Sequence, residues 1–347
     1  MDVFPQGHQL GPYRVVRLLG EGGMGAVYEA RQELLDRRVA LKTLHPEYAK
    51  NKDAITRFFN EAKALSRLEH PNIVQVHEIG EDVDSLYLAM EFIEGGTLEG
   101  LLNSKPLNPT YAAELVCTLA KAVHYAHRKG IVHRDLKPAN VLVNKEAPAT
   151  ENGSDTARLS NSSTAHRLAI YRTPKIADFG LAKQLGSNDG LTRTGMVVGT
   201  PSYMAPEQAR GDPNGVGVGI DIYALGAILY ECLTGQPPFR KVNAYETLEA
   251  VLKETPVAPH KLCRDVPRDL ETICLKCLEK EPRRRYVSAE LLAEELERFL
   301  AGQPIHARPV PTWEHAWKWA KRRPALAAMM ALTFLTMCLG TGLVTNE

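Results

Sequence analysis

With 347 residues, the chain can hold one large domain or two ordinary ones, with ample core in either case. A hydrophobic content of 44% and a charged content of 24% place it among globular proteins rather than disordered or fibrous ones. The formal net charge of +1 argues against a dedicated nucleic-acid binder, so no nucleic-acid partner is expected.

The opening MDVFPQGHQLGPY has an acidic residue at position 2 and no apolar run, so it does not read as a signal peptide. Residues 1–10 are expected to form an N-terminal tail. The segments YRVVRLLGEG, GAVYEARQ, RRVALKTL, IVQVHEIGE and SLYLAMEFI are short, rich in β-branched, Leu and Tyr side chains, and separated by turn residues, which predicts strands. AITRFFNEAKALSRL interrupts them with apolar residues at 55, 58, 59, 62, 65 and 68, the period of a helix. The glycine pair of EGGTL suits a hinge, and beyond it helical periods dominate: TYAAELVCTLAKAVHYAHRKG, DIYALGAILYECLTG, LETICLKCLEK and SAELLAEELERFLAG. This order predicts an α+β chain with a β-rich small lobe over residues 11–90, a hinge at 91–96 and an α-helical large lobe over 97–300. A polar run at 145–173, rich in Ser, Thr, Asn and Ala, has no sustained period and is expected to be a loop.

The six cysteines form no disulfide-like framework, which favours a reducing compartment. His260, Cys263, Cys274 and Cys277 superficially match a zinc spacing. ETICLKCLEK reads instead as an amphipathic helix turning Cys274, Leu275 and Leu278 toward a core, so no zinc site is expected. Residues 324–344 run without a charge, and about 20 residues cross the ~30 Å hydrocarbon core. Trp313, Trp317 and Trp319, then Lys318, Lys321, Arg322 and Arg323, precede the run. Residues 301–323 therefore read as a basic, Trp-rich juxtamembrane segment and 324–344 as one transmembrane helix, with the N-terminal side cytoplasmic in the cell membrane. A buried terminal helix is the competing reading. Thr345, Asn346 and Glu347 follow the run, which fits either a tail anchor or a piece of a longer chain.

Chemistry enters with Gly20-Glu21-Gly22-Gly23-Met24-Gly25, which ends one strand and leads into another. A dinucleotide site would lead into a helix, so a glycine-rich flap over nucleotide phosphates is the better reading. Val39-Ala40-Leu41-Lys42 puts a lysine on the neighbouring strand, where it could serve the α- and β-phosphates, and Glu61 on the small-lobe helix is the acid that could hold it. His133-Arg134-Asp135-Leu136-Lys137-Pro138-Ala139-Asn140, then Asp178-Phe179-Gly180, then Ala205-Pro206-Glu207 complete the set in order. With these motifs the chain resembles the eukaryotic-type (Hanks-type) protein kinases found in bacteria as membrane-anchored serine/threonine kinases. The likeness covers roughly Gly11 to Gly302.

The resemblance implies a bilobal protein kinase fold over 11–300 and transfer of the γ-phosphate of ATP to Ser/Thr hydroxyls of protein substrates. Asp135 would take the hydroxyl proton, Lys137 would neutralise the transferring group, and Lys42 with Glu61 would form the ion pair of the active state. Asn140 and Asp178 would hold Mg²⁺, or Mn²⁺ in its place. Leu19, Gly20, Glu21, Gly22, Gly23, Met24 and Gly25 would cover the nucleotide. Val27, Ala40 and Leu142 would sandwich the adenine, Met90 would form the back wall, and Glu91 and Ile93 would offer hinge backbone. Leu65, Val76, His133 and Phe179 would stack as a column between the lobes. Glu207 and Arg285 would pair, and Asp221 would support the catalytic-loop backbone. Lys137 and Gly199-Thr200-Pro201 resemble the serine/threonine branch, with Thr200 contacting Asp135 and Lys137. Thr192 and Thr194 are expected as autophosphorylation sites whose phosphate would meet Arg134, in trans between self-associating chains.

A nucleotide-binding pseudokinase scaffold is the alternative, and a small-molecule phosphotransferase of related fold a third. A pseudokinase would usually lack Lys42, Asp135 or Asp178. The Ala-Pro-Glu segment and Thr200 favour a protein substrate. Two departures from the resemblance stand out: the polar run 145–173, and the glycine-rich NGVGVGI before Asp221, for which the sequence offers no account.

Overall fold

The computed structural model of the chain describes residues 4–22, 25–44, 52–82, 85–145, 171–179, 201–212 and 217–307. Gly23, Met24, Gly180, Thr192, Thr194, Thr200 and the 324–344 run lie outside these residues, as does 146–170 of the polar run.

The small lobe is an antiparallel sheet of β1 (Gln9–Leu10), β2 (Tyr13–Gly22), β3 (Gly25–Gln32), β4 (Arg37–Leu44), β5 (Val76–Asp82) and β6 (Ser85–Glu91), ordered β1-β2-β3-β4-β6-β5. Strand alternation sends Val39 and Leu41 to one face, where they join Tyr13, Val15, Tyr28, Ala30 and Ala89 in an upper core. Ala40 and Lys42 therefore face the other way, beside Met90 and Val27, their cross-strand partners. Residues 4–8, expected as part of a tail, fold onto this lobe. Phe4 stacks on His8 at 4.5 Å between ring centroids, its N–H reaches the Tyr28 hydroxyl at 3.2 Å, and β1 pairs with β2.

Helix α1 (Lys52–Leu65) buries Phe58, Ala62 and Leu65, the i, i+4, i+7 stripe that the sequence predicts. After β6 the chain passes through 92–94 into β7 (Gly95–Thr97) and α2 (Leu98–Leu102), which Thr97 caps by accepting the Gly100 N–H at 3.1 Å. Strand β7 forms a second sheet with β8 (Val141–Lys145) and β9 (Tyr171–Ile176) in the order β7-β8-β9. Lys145 pairs with Tyr171, so both ends of the polar run lie inside paired strands. Apolar alternation is too short in these strands to announce them in the sequence.

The large lobe is built around α5 (Gly219–Thr234), apolar on every side and buried from Ile220 to Leu233. Packed on it are α3 (Pro109–Arg128) and α8 (Arg268–Cys277), with α9 (Ala289–Leu300) lying along α3. Helix α8 turns Cys274 and Cys277 into the core, and no group of three or more metal-ligating side chains forms among the described residues. The short α4 (Pro206–Ala209), α6 (Ala244–Lys253) and α7 (Pro259–Leu262) complete the lobe. Among the described residues no helix is long and apolar enough to cross a membrane.

Residues 301–307, read from sequence as the start of a juxtamembrane segment, return onto α9. Ile305 is buried, and the buried Glu295 carboxylate accepts the N–H groups of His306 and Ala307 at 2.7 and 2.9 Å. The packed domain thus reaches Ala307.

Candidate active site

Strand β4 delivers Lys42 to the cleft, where its Nζ lies 2.9 Å from Asp178 Oδ1. The contact joins the lobes across 136 positions of sequence. The Lys42 ammonium holds the Asp178 carboxyl below its ordinary range. Asp178 sits at φ +52°, a left-handed backbone that aims the side chain back toward the cleft. Glu61 lies on α1, and its side chain is outside those described.

Asp135, Lys137 and Asn140 converge on one loop. Lys137 Nζ donates to Asp135 Oδ2 at 3.0 Å. Asn140 Nδ2 donates to the Asp135 carbonyl at 2.8 Å and to its Oδ2 at 3.3 Å. That commits the amide nitrogen of Asn140 and leaves its carbonyl oxygen as the donor for a cation. With the Asp178 carboxylate this gives two hard oxygen ligands, a set that fits Mg²⁺ completed by phosphate oxygens and water. The backbone carbonyl of Asn140 accepts the Ala177 N–H at 2.8 Å, tying this loop to the one that carries Asp178.

The loop is held from beneath by Asp221 at the start of α5. Its carboxylate accepts the backbone N–H groups of His133 (2.8 Å) and Arg134 (2.9 Å) and faces His127 Nε2 at 2.7 Å. Burial alone would favour the neutral acid, but the hydrogen bonds from His127 and the two backbone N–H groups prevail and keep the Asp221 pKa low. Burial lowers the pKa of the His133 imidazole. The neutral ring donates from Nε2 to the Ala177 carbonyl at 3.1 Å and accepts the Asp135 N–H at Nδ1, 3.3 Å away. Its ring lies 4.5 Å from that of Phe179, and Leu65 and Phe179 are buried in the same core, with Val76 packed against it. Of the expected column, the His133–Phe179 contact is present, and Leu65 and Val76 belong to the same core.

Arg134, at φ +65°, has its guanidinium pKa lowered by burial. Among the described residues its buried Nε has no hydrogen-bond partner. A small pocket beside it is lined by Asp135, Lys137, Tyr203, Met204 and Gln208. Tyr203 is fixed by a 2.5 Å hydrogen bond to Glu231, and Gln208 donates to the Arg134 carbonyl at 2.7 Å. Below it the Arg285 guanidinium grips Glu207 through two bonds of 2.6 and 2.7 Å. Arg285 also donates to the Gly219 carbonyl at 2.8 Å, at the head of α5.

Of the residues expected around the nucleobase, Val27 lies on β3, Ala40 on β4, Met90 and Glu91 on β6 and Leu142 on β8. Val27, Ala40 and Leu142 are half-buried, and Met90 is buried behind Ala40. The Glu91 N–H is taken by the Gln75 carbonyl at 2.8 Å, which narrows Glu91's contribution to its carbonyl. Leu19 to Gly22 lie at the exposed end of β2. A Cβ on Gly20 would meet nothing within 4 Å, whereas one on Gly25 would fall 1.8 Å from the Thr43 carbonyl. Gly25 is therefore demanded by the strand crossing, while the space beside Gly20 is open.

Sequence reasoning missed His127, Tyr203, Gln208 and Glu231, and also Arg38 and Lys175, which hold the hinge. Their side chains reach across 28 to 94 positions in most of these contacts, so no local pattern marks them.

Comparison with known proteins agrees with this geometry. The family model described as the protein kinase domain matches residues 13–296. A probable serine/threonine-protein kinase of Streptomyces coelicolor is 37% identical over 303 residues, covering 86% of this chain and 41% of that protein. Serine/threonine-protein kinase PknD of Mycobacterium tuberculosis is 40% identical over 295 residues, covering 84% of this chain and 40% of its own length. The chain thus spans less than half the length of these curated relatives. Among solved structures, the PknI kinase domain of Mycobacterium tuberculosis superimposes with a TM-score of 0.61 at 26% identity, covering 85% of this chain and 99% of that one.

Proposed function

The chain belongs to the protein kinase domain family, and from that membership we propose that it is a serine/threonine protein kinase that transfers the γ-phosphate of ATP to protein hydroxyls. The observation that carries the reading is the convergence of Asp135, Lys137 and Asn140 on one loop, with Lys42 and Asp178 paired across the cleft.

Asp135 accepts the proton of the substrate hydroxyl as its oxygen bonds to the γ-phosphorus and the bond to the β-phosphate oxygen breaks, releasing ADP. Lys137, held against Asp135, places a cation beside the oxygens of the group in transfer. Lys42 positions the α- and β-phosphates. Asn140 and Asp178 would hold Mg²⁺, which when bound neutralises charge on the phosphate oxygens. Positioning and electrostatics dominate this reaction, and each of these residues is held by at least one hydrogen bond. The complete set weighs against the pseudokinase scaffold.

Two finer points belong to the same reading. The buried Nε of Arg134, without a hydrogen-bond partner among the described residues, supports activation by phosphate on Thr192 or Thr194, acquired in trans between chains. The uncharged run 324–344, with its Trp and basic flank, supports a single membrane span with the kinase domain cytoplasmic.

Incubating the full chain with γ-labelled ATP, Mg²⁺ and a protein acceptor, beside Asp135→Asn, tests the activity. Label transferred by the unaltered chain alone is the expected result, and equal label in both sinks the enzyme reading. Membrane association is tested by alkaline extraction of the expressed chain, where release into the supernatant overturns the span.

A further inference from the structure

The segment that would receive the base, residues 91–94, is gripped by side chains from both lobes. On the small-lobe side the grip begins at Glu29 of β3, whose side chain is 8% exposed. One of its oxygens accepts from Arg17 Nε at 2.8 Å and the other from Arg38 Nε at 2.9 Å. A buried carboxylate with two guanidinium partners is held rigidly, and it fixes Arg38 in turn. Arg38 then reaches out of the sheet onto the hinge. Its guanidinium lies over the Phe92 ring, 4.3 Å from the centroid, and its Nη1 lies 3.5 Å from Glu94 Oε2. From the large-lobe side, Lys175 Nζ on β9 holds Glu91 Oε2 at 2.9 Å.

Residues 91, 92 and 94 are thus each held by a side chain, and Ile93, whose backbone would face the base, lies between two residues that Arg38 touches. We propose that Arg38 is a positioning residue for nucleotide binding, a strut from Glu29 to the hinge that presets the backbone of residues 91–94 for the base. The inference rests on the kinase reading above. Its physical content is preorganisation: a hinge already ordered before the base arrives loses less freedom on binding. A flat guanidinium is suited to this role because it stacks on Phe92 while keeping donors for two carboxylates, which an ammonium cannot do.

The strut acts on the base and not on the reacting groups, so it predicts a split between KM and kcat. In the full chain, Arg38→Ala should raise the KM for ATP about fivefold, the scale of one stacked cation and its ion pair, with kcat held within about twofold. The ratio of KM for GTP to KM for ATP should fall, because discrimination between bases resides in the hinge. Arg38→Lys, which keeps the charge and loses the plane, should fall between the two. Arg17→Ala removes the other partner of Glu29 but leaves the contacts of Arg38 to Glu29, Phe92 and Glu94 in place, so it should raise the KM for ATP clearly less than Arg38→Ala does.

An unchanged KM and unchanged base preference in Arg38→Ala overturns the strut, while the activity of the unaltered chain keeps the kinase reading intact. Equal losses in Arg17→Ala and Arg38→Ala also overturn it, since they would trace the effect to general loosening of the sheet. An unaltered chain that neither binds nor consumes ATP overturns the kinase reading and the strut together.

Discussion

Arg285 and Glu207 face each other as two parallel hydrogen bonds of 2.6 and 2.7 Å, with the arginine side chain fully buried and the glutamate nearly so. The pair joins the Ala-Pro-Glu segment to the turn before α9. Three carbonyls, of Gly219, Glu279 and Lys280, take the remaining guanidinium donors, so the cation is satisfied on every side. Removing one partner strands the other as a buried charge. Arg285→Ala should destabilise the chain by about 3–5 kcal/mol, read from denaturant unfolding followed by far-ultraviolet circular dichroism. Glu207→Met combined with Arg285→Leu should lose less than Arg285→Ala alone, because no charge is then left without a partner. A double variant as unstable as the single one would show that the loss is one of packing.

Asp221 does for the catalytic loop what Arg285 does for the segment end. Two backbone N–H groups and His127 share its two oxygens. Asp221→Asn supplies one acceptor oxygen in place of two and turns an amide toward groups that need an acceptor. Asp135 is two residues from His133, so the loop's displacement reaches it directly. A fall in kcat of about a hundredfold is expected, with the KM for ATP little changed because the hinge is untouched. Steady-state kinetics with ATP varied at saturating acceptor checks both halves.

The chemistry of this site was legible because phosphoryl transfer fixes residue types at fixed spacings on one loop, as in Asp135, Lys137 and Asn140. The two lobes followed from strand alternation at Val39 and Leu41 and from the helical stripe at Phe58, Ala62 and Leu65. What escaped was contact across the chain. Arg38 reads as one more surface arginine in RRVALK, and only the folded sheet places it over Phe92. Lys42 meets Asp178, 136 positions away, a contact no local pattern marks, while its expected pairing with Glu61 lies outside the described side chains. Residues 4–8 and 301–307 looked like tail and linker because a few packed residues, such as Phe4 and Ile305, make no period.

Lys280 offers a pH test of the large lobe. Its Nζ donates to the Val251 carbonyl at 2.5 Å and lies 4.1 Å from the Phe239 ring centroid. Burial, reinforced by the Arg285 cation, lowers its pKa to about 8. An unfolded lysine titrates near 10.4, so between about pH 8 and pH 10.4 the unfolded chain binds more protons than the folded one. Stability therefore rises with pH across that window as far as this group is concerned. The difference in unfolding free energy between the unaltered chain and Lys280→Met should shift in favour of the unaltered chain from pH 8 to pH 10, and stay flat from pH 6 to pH 7. A difference that does not vary with pH would place the folded pKa near its ordinary value.

Arg134 is where the structure bears on the threonines that precede the Ala-Pro-Glu segment. Its backbone is doubly committed, the N–H to Asp221 and the carbonyl to Gln208, while its buried Nε lacks a partner among the described residues. A guanidinium whose pKa burial lowers gains most from a dianionic phosphate, which supplies charge and acceptors together. Under the kinase reading, Thr192→Ala with Thr194→Ala should lower activity toward an added protein acceptor by about tenfold or more, the scale of one charge-assisted contact. Arg134→Ala should abolish the difference between phosphorylated and phosphatase-treated chain. The comparison needs both preparations of each variant, assayed at equal concentration, with phosphosites mapped by mass spectrometry. Full activity in the double alanine variant removes the switch, and a phosphate effect that survives Arg134→Ala assigns the contact to another cation.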